Sequence, residues 1–172
     1  MALKHKLELP HRKGKILLFL ALSLGIIAFI FARSLQPGEE SETESGFFVS
    51  LLQMLGLGGM DPGFLEYLVR KAAHFAEYAC LGGVLVCFWR AVLLDWWPSG
   101  LAAGITAALV ASADECLQLS VPGRTGQFSD VLLDTAGAVT GLVLVLLILW
   151  LWYRRKKNVS DICHKQPSSG HQ

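Results

Sequence analysis

The chain reads as long apolar blocks parted by short polar ones. Apolar positions neither alternate in twos nor recur at i, i+3 and i+4, the patterns of elements with one wet face. They run almost unbroken over 16–32 (ILLFLALSLGIIAFIFA), 68–94, 99–119 and 131–153, the last ending LVLVLLILWLWY. Crossing a hydrocarbon core about 30 Å thick takes about 20 helical residues. Each block therefore predicts a transmembrane helix, and the expected fold class is an all-α integral membrane bundle of four spans. Residues 1–15 read as a basic arm, 16–153 as the transmembrane domain and 154–172 as a basic tail, unstructured after Val159. The first block is longer than the apolar region of a signal peptide, and Ile30-Phe31-Ala32 before Arg33 is a poor cleavage site, so it reads as an uncleaved helix.

Composition agrees. Hydrophobic residues make up 53% of the chain and charged residues 17%, against roughly a quarter charged in soluble domains. The net charge of +1 says little until it is placed along the chain. Lys4, Lys6, Arg12, Lys13 and Lys15 precede the first span, and Arg154, Arg155, Lys156 and Lys157 follow the last. Residues 34–66 hold Glu39, Glu40, Glu42, Glu44, Asp61 and Glu66 and no basic residue. The positive-inside rule then predicts cytoplasmic termini, with the 34–66 and 120–130 loops outside. Trp89, Trp96, Trp97, Trp150 and Trp152 fall where an inner aromatic belt belongs. Phe47, Phe48, Leu51, Leu52 and Leu55 suggest a short helix lying on the outer leaflet. Cys80, Cys87, Cys116 and Cys163 form no CxxC pair, which points away from a redox motif or zinc knuckle and toward small apolar packing residues.

Ionisable residues interrupt the apolar blocks at one level. Arg70, His74 and Glu77 are spaced i, i+4, i+7 and are expected to share an inward face, with Lys71 and Tyr78 on its flank. Asp114 and Gln118 share a face of the third helix, with Glu115 to the side, and Asp130, Asp134, Gly137 and Gly141 share one of the fourth. At 1.5 Å per residue, His74 lies about 24 Å from Arg90, Asp114 about 24 Å from Pro98 and Asp134 about 30 Å from Arg154. Three helices thus bring polar groups to the outer end, where the VPGRTGQFSD loop adds Arg124. Below them Gly137-x-x-x-Gly141, Ala103, Ala107 and Val110 allow tight helix packing.

Taken singly, each has a structural explanation. His74-x-x-Glu77 is a common spacing that also suits a hydrogen-bonded histidine, Asp114-Glu115 marks a helix exit, and Asp130 suits an N-cap. Gly123 and Gly126 suit turns, and Arg70-Lys71 suit interfacial anchoring. Convergence at one depth is what these explanations leave out, and intramembrane ionisable residues default to function.

Three stretches in order carry a resemblance: Arg70-Lys71-x-x-His74-Phe75-x-Glu77-Tyr78-x-x-Leu81, Asp114-Glu115-x-x-Gln118-x-x-x-Pro122-Gly123-Arg124, and Asp130-Val131-x-x-Asp134-Thr135-x-Gly137. With Ser34-x-Gln36-Pro37 after the first span, they resemble the VanZ-like family of bacterial membrane proteins over roughly residues 15–153. The family often has Asn where this chain has Asp134, so this site carries an added acid. The resemblance implies a bacterial cytoplasmic membrane location and a process at the cell surface. The family takes its name from a protein linked to resistance to teicoplanin, a glycopeptide antibiotic. It supplies no reaction.

Two classes of function fit. In the first, the site takes an anionic headgroup in the outer leaflet, from a lipid-linked envelope precursor or a phospholipid. Arg70, Lys71 and Arg124 then bind the anion, arginine in bidentate fashion. His74 and Glu77, or Asp114 and Glu115, act as general acid and base or hold a divalent metal that bridges to phosphate. Tyr78, Gln118, Asp130 and Asp134 support them. The residues do not specify which metal or cofactor, if any, is used. No familiar nucleophile is present, since Ser112 and Ser129 lack a G-x-S-x-G context, and the choice between enzyme and binder stays open. In the second class the protein is a non-enzymatic membrane interaction protein whose polar cluster fixes helix register. A solute transporter fits poorly, because nothing polar lines a route past Leu81, Val110 and Gly141. The basic ends are topology signals and give no support for nucleic-acid binding.

Overall fold

A computed structural model describes the backbone of residues 2–36, 46, 48–54, 59–121 and 127–165, and side chains within 12–157 of that set. Four long helices follow one another: α1 (Ala2–Ser34), α2 (Pro62–Leu93), α3 (Trp96–Gln118) and α4 (Phe128–Lys165). Each contains a stretch long and apolar enough to cross a membrane, Arg12–Ser34, Pro62–Leu93, Trp96–Gln118 and Phe128–Lys157. There is no strand among the described residues.

Local chemistry explains the boundaries. Asp61 caps α2, its carboxylate accepting the Phe64 N–H at 2.9 Å, and Pro62 at the first helical position supplies a preset φ. Both features start α2 six residues ahead of its apolar block at 68. At the other end of α2 the chain turns through Leu94 in the left-handed region, φ 68°, and only Leu94 and Asp95 separate α2 from α3. Of the predicted unstructured tail after Val159, the backbone is helical to Lys165, and residues 166–172 lie outside the described residues. Arg154, Arg155, Lys156 and Lys157 are good helix formers that carry the last span onward. Of the predicted surface helix, residues 48–52 are helical with Phe48 and Leu51 exposed, while Phe47 and Leu55 lie outside the described residues.

The packing order follows from small residues. α2 and α4 run parallel with their backbones in direct contact. A Cβ at Gly137 would meet the Phe75 carbonyl, one at Gly141 the Ala79 carbonyl, and one at Gly82 the Ala138 carbonyl. Glycine at these three places is what permits the approach. α3 runs antiparallel to both and packs through Ala103, Ala107 and Ala111, one residue per turn, against Tyr78, Leu81, Leu85, Val86, Ala138 and Leu142. α1 reaches this core through Ile30. Only 11% of the α1 span is buried against 33% of that of α2, which makes α2 the central helix and α1 a peripheral one. Leu17, Leu24, Leu101, Ile105, Leu109, Val143 and Ile148 point outward, as lipid-facing residues do.

Candidate functional site

The bundle has two polar ends, and the candidate site lies where α1 and α3 finish and α2 and α4 begin. The parallel α2–α4 pair sets its frame as a ladder of contacts. Lys71 pairs with Asp130 on the outermost rung, and His74 faces Asp134 on the next, Nδ1 to Oδ1 4.0 Å. Below them the Phe75 backbone rests on Gly137 and the Ala79 backbone on Gly141. Without those two glycines the helices would stand further apart and His74 would not reach Asp134.

α3 closes the third side. Asp114 is fully buried, and Gln118 one turn later donates from Nε2 to its Oδ2 at 3.2 Å. His74, Asp114 and Asp134 each bring one potential ligand atom to within 4.8 Å of the other two. One helix supplies each residue. Tyr78 lies one turn deeper on α2 with 0% exposure, and its hydroxyl faces the Asp114 carboxylate without closing a hydrogen bond of normal length.

Two further acids of the sequence motifs link neighbouring elements. Glu115 accepts the backbone N–H of Gln127 at 2.5 Å through Oε1 and so ties the end of α3 to the start of α4. Glu77 pairs with Arg33 at 3.4 Å and ties α2 to α1. Glu77 and Glu115, neighbours in sequence of His74 and Asp114, thus each make a contact to another helix or to the start of one. His74, Asp114 and Asp134 are the three whose donor atoms converge.

Two expectations on α2 are corrected. Arg70 does not share an inward face with His74, for it is exposed, and it is Lys71 that enters the packed frame and pairs. Tyr78 is not on a flank but at the centre of the buried arc. A helix apolar on nearly every side carries no phase information, so spacing groups residues without saying which side of the group is covered. Covered on three sides, α2 buries an arc centred about 80° from Arg70, at 100° per residue. Arg124, with Pro122, Gly123 and Gly126, lies outside the described residues.

One residue of this end was missed by sequence reasoning. Arg33 comes one residue before the acid-rich segment and holds Glu77 while sitting 5.8 Å from the Phe29 ring centroid. The signal was available: a basic residue directly before a segment, 34–66, that holds six acids and no base. Ser34 beside it is fully buried.

A family model described as VanZ/LLP1 matches residues 19–151, which take in part of α1 and α4, the whole of α2 and α3, and every residue of the cluster. No curated protein and no solved structure matches the chain.

Proposed function

The chain belongs to the VanZ/LLP1 family, and from that premise we propose that it is a multi-pass protein of the bacterial cytoplasmic membrane whose polar site binds an anionic, phosphate-bearing component of the envelope. In this reading the termini lie in the cytoplasm, which the basic residues at both ends of the chain favour, and the site opens toward the outer leaflet. The ligand is the headgroup of a lipid-linked precursor or of a phospholipid, and the cellular consequence is altered susceptibility to glycopeptides.

The observation that carries this reading is the meeting of His74, Asp114 and Asp134 from three helices, at the bundle end that also carries Arg33, Arg70 and Lys71. Burying two carboxylates near a membrane surface is costly, on the order of 2–3 kcal/mol per ionisable group at the bilayer centre and less toward the interface. Apolar residues of similar volume would pack the same position at no such cost. Lys71 and Arg70 supply positive charge at the mouth, and Arg124 in the following loop adds a guanidinium for bidentate phosphate contact.

The test is mass spectrometry of lipids retained by the purified protein. Wild type is expected to retain a phosphate-bearing lipid that His74→Ala and Arg124→Ala lose by about tenfold or more, while both variants insert and accumulate normally. An unchanged lipid profile in both variants would remove the headgroup from the account.

A second reading has its own observation. The Lys71–Asp130 and Arg33–Glu77 pairs each join two different helices, so they can serve as register clamps whatever the cluster binds.

A further inference from the structure

We infer that His74, Asp114 and Asp134 form a divalent cation site, for Zn²⁺ first and Mn²⁺ as its competitor, closed on its inner side by Tyr78. The site itself stands apart from the headgroup reading. Only the use of its open position by a phosphate oxygen rests on that reading.

Geometry gives the first support. Three protein donors plus an open position is the pattern of zinc sites that act on a further ligand, with donors about 2.0–2.2 Å from the metal. Two donors of such a tetrahedral ion stand about 3.4 Å apart. His74 Nδ1 and Asp134 Oδ1 are 4.0 Å apart, and all three donors lie within 4.8 Å of one another. Shifts of about 1 Å in the donor atoms would bring the set to that spacing. The 4.0 Å separation is also too long for a direct hydrogen bond.

Charge gives the second. Asp114 and Asp134 are 0% and 3% exposed, so both carboxylates sit where an ionised group gains from a bound cation. Two carboxylates and a neutral imidazole carry −2, and one divalent ion brings the cluster to zero. A low-dielectric site strongly favours the neutral assembly.

The surroundings give the third. Gln118 orients Asp114 by its 3.2 Å hydrogen bond, as groups behind a metal ligand commonly do. The Tyr78 hydroxyl is fully buried, faces Asp114 and makes no hydrogen bond of normal length. Such a group inside a packed bundle calls for a partner, and a metal-bound water or the ion itself provides one. One imidazole and two carboxylates select the ion: the nitrogen favours zinc over magnesium or calcium, and the oxygens keep manganese in competition.

The full chain, purified in detergent and stripped with chelator, is titrated with Zn²⁺ and desalted, and the retained metal is counted by mass spectrometry. Subtracting the content of His74→Ala removes contributions from His5, His11, His164 and His171. The expected result is about one Zn²⁺ per chain in that difference, with affinity falling about tenfold or more in Asp114→Asn and Asp134→Asn and less in Tyr78→Phe. A wild-type chain that holds no more zinc or manganese than His74→Ala overturns the site, and so does unaltered affinity in both Asp→Asn variants. The wild-type titration needs no variant of the two acids, so misfolding of either does not protect the proposal. Pyrophosphate added to the zinc-loaded protein separates the two readings: one zinc bound with no effect of pyrophosphate leaves the metal site standing and counts against the headgroup.

Discussion

The two ends of this bundle handle charge in opposite ways. At the end where α2 gives way to α3, charges lie at the edge and serve the backbone or the aromatic rings. Arg12 on α1 donates to the Ala91 and Val92 carbonyls at 3.0 and 2.7 Å, and Arg90 donates to the Leu94 carbonyl while its guanidinium sits 4.2 Å from the Trp96 ring centroid. Arg154 and Lys156 stack on Trp150 and Trp152 at 4.7 and 5.2 Å. These contacts satisfy carbonyls that a helix end leaves open and place cations where an interface favours them. At the opposite end Asp114 and Asp134 are drawn inside, among helices that could have packed with apolar residues. The first end is accounted for by anchoring and capping. The second is not, and that difference makes it the place to look for function.

The sharpest way to break this comparison is to spread α2 and α4 at one end only. Gly137 faces the Phe75 carbonyl, one residue from His74, and a Cβ there would lie 2.5 Å from that oxygen. Gly137→Val forces the helices apart at the acidic cluster and leaves the Trp–Arg end, some four turns away, in place. We expect a loss of about 3 kcal/mol in resistance to SDS-induced unfolding, the upper part of the range for overpacking, together with loss of lipid and zinc retention. Wild-type stability and retention in this variant would mean that the close approach does not set the site.

How much of this was readable beforehand depends on the kind of information required. The four spans follow from block length alone, since about 20 apolar residues have few other uses. Gly137 and Gly141 were recognisable as contact residues because small side chains four apart make a flat stripe on one helix face. Their partner helix was not, because Phe75 and Ala79 contribute backbone, which carries no residue signature. The three polar motifs and their common level could be read by counting residues, and with them the family. Their pairing could not. Glu77 and His74 are neighbours in the motif but turn to α1 and α4 respectively, a choice made by the rotation of α2 within the bundle. That rotation is set by which sides α1, α3 and α4 cover, a long-range result invisible in an evenly apolar helix.

A smaller effect is expected at the anchoring end. Arg12→Gln removes a charged donor from two carbonyls in the last turn of α2, next to the left-handed Leu94. Hydrogen bonds from charged groups contribute about 1.5–3 kcal/mol when buried and less at a partly wet position, so a loss of about 2 kcal/mol in unfolding resistance is expected for the pair. Lipid and zinc retention should be unchanged. A variant that keeps its stability but loses retention would erase the distinction between the two ends.

The smallest effect tests whether every charge pair at the acidic end belongs to the site. Arg33 and Glu77 join α1 to α2 at 3.4 Å with side chains 34% and 17% exposed, a partly wet pair. Exposed pairs contribute about 0.2–1 kcal/mol, and water at this pair keeps its coupling near the top of that range and no higher. A double-mutant cycle of Arg33→Gln and Glu77→Gln should therefore give a coupling of about 1 kcal/mol in SDS unfolding. Exchange of the two charges, Arg33→Glu with Glu77→Arg, should recover part of it, because the geometry asks for opposite charges and not for a particular order. If Glu77 is only a clamp, zinc retention stays at the wild-type level in Glu77→Gln even as stability falls. If Glu77→Gln instead loses zinc or lipid as fully as His74→Ala, the site reaches across to α1, and Arg33 becomes part of its wall.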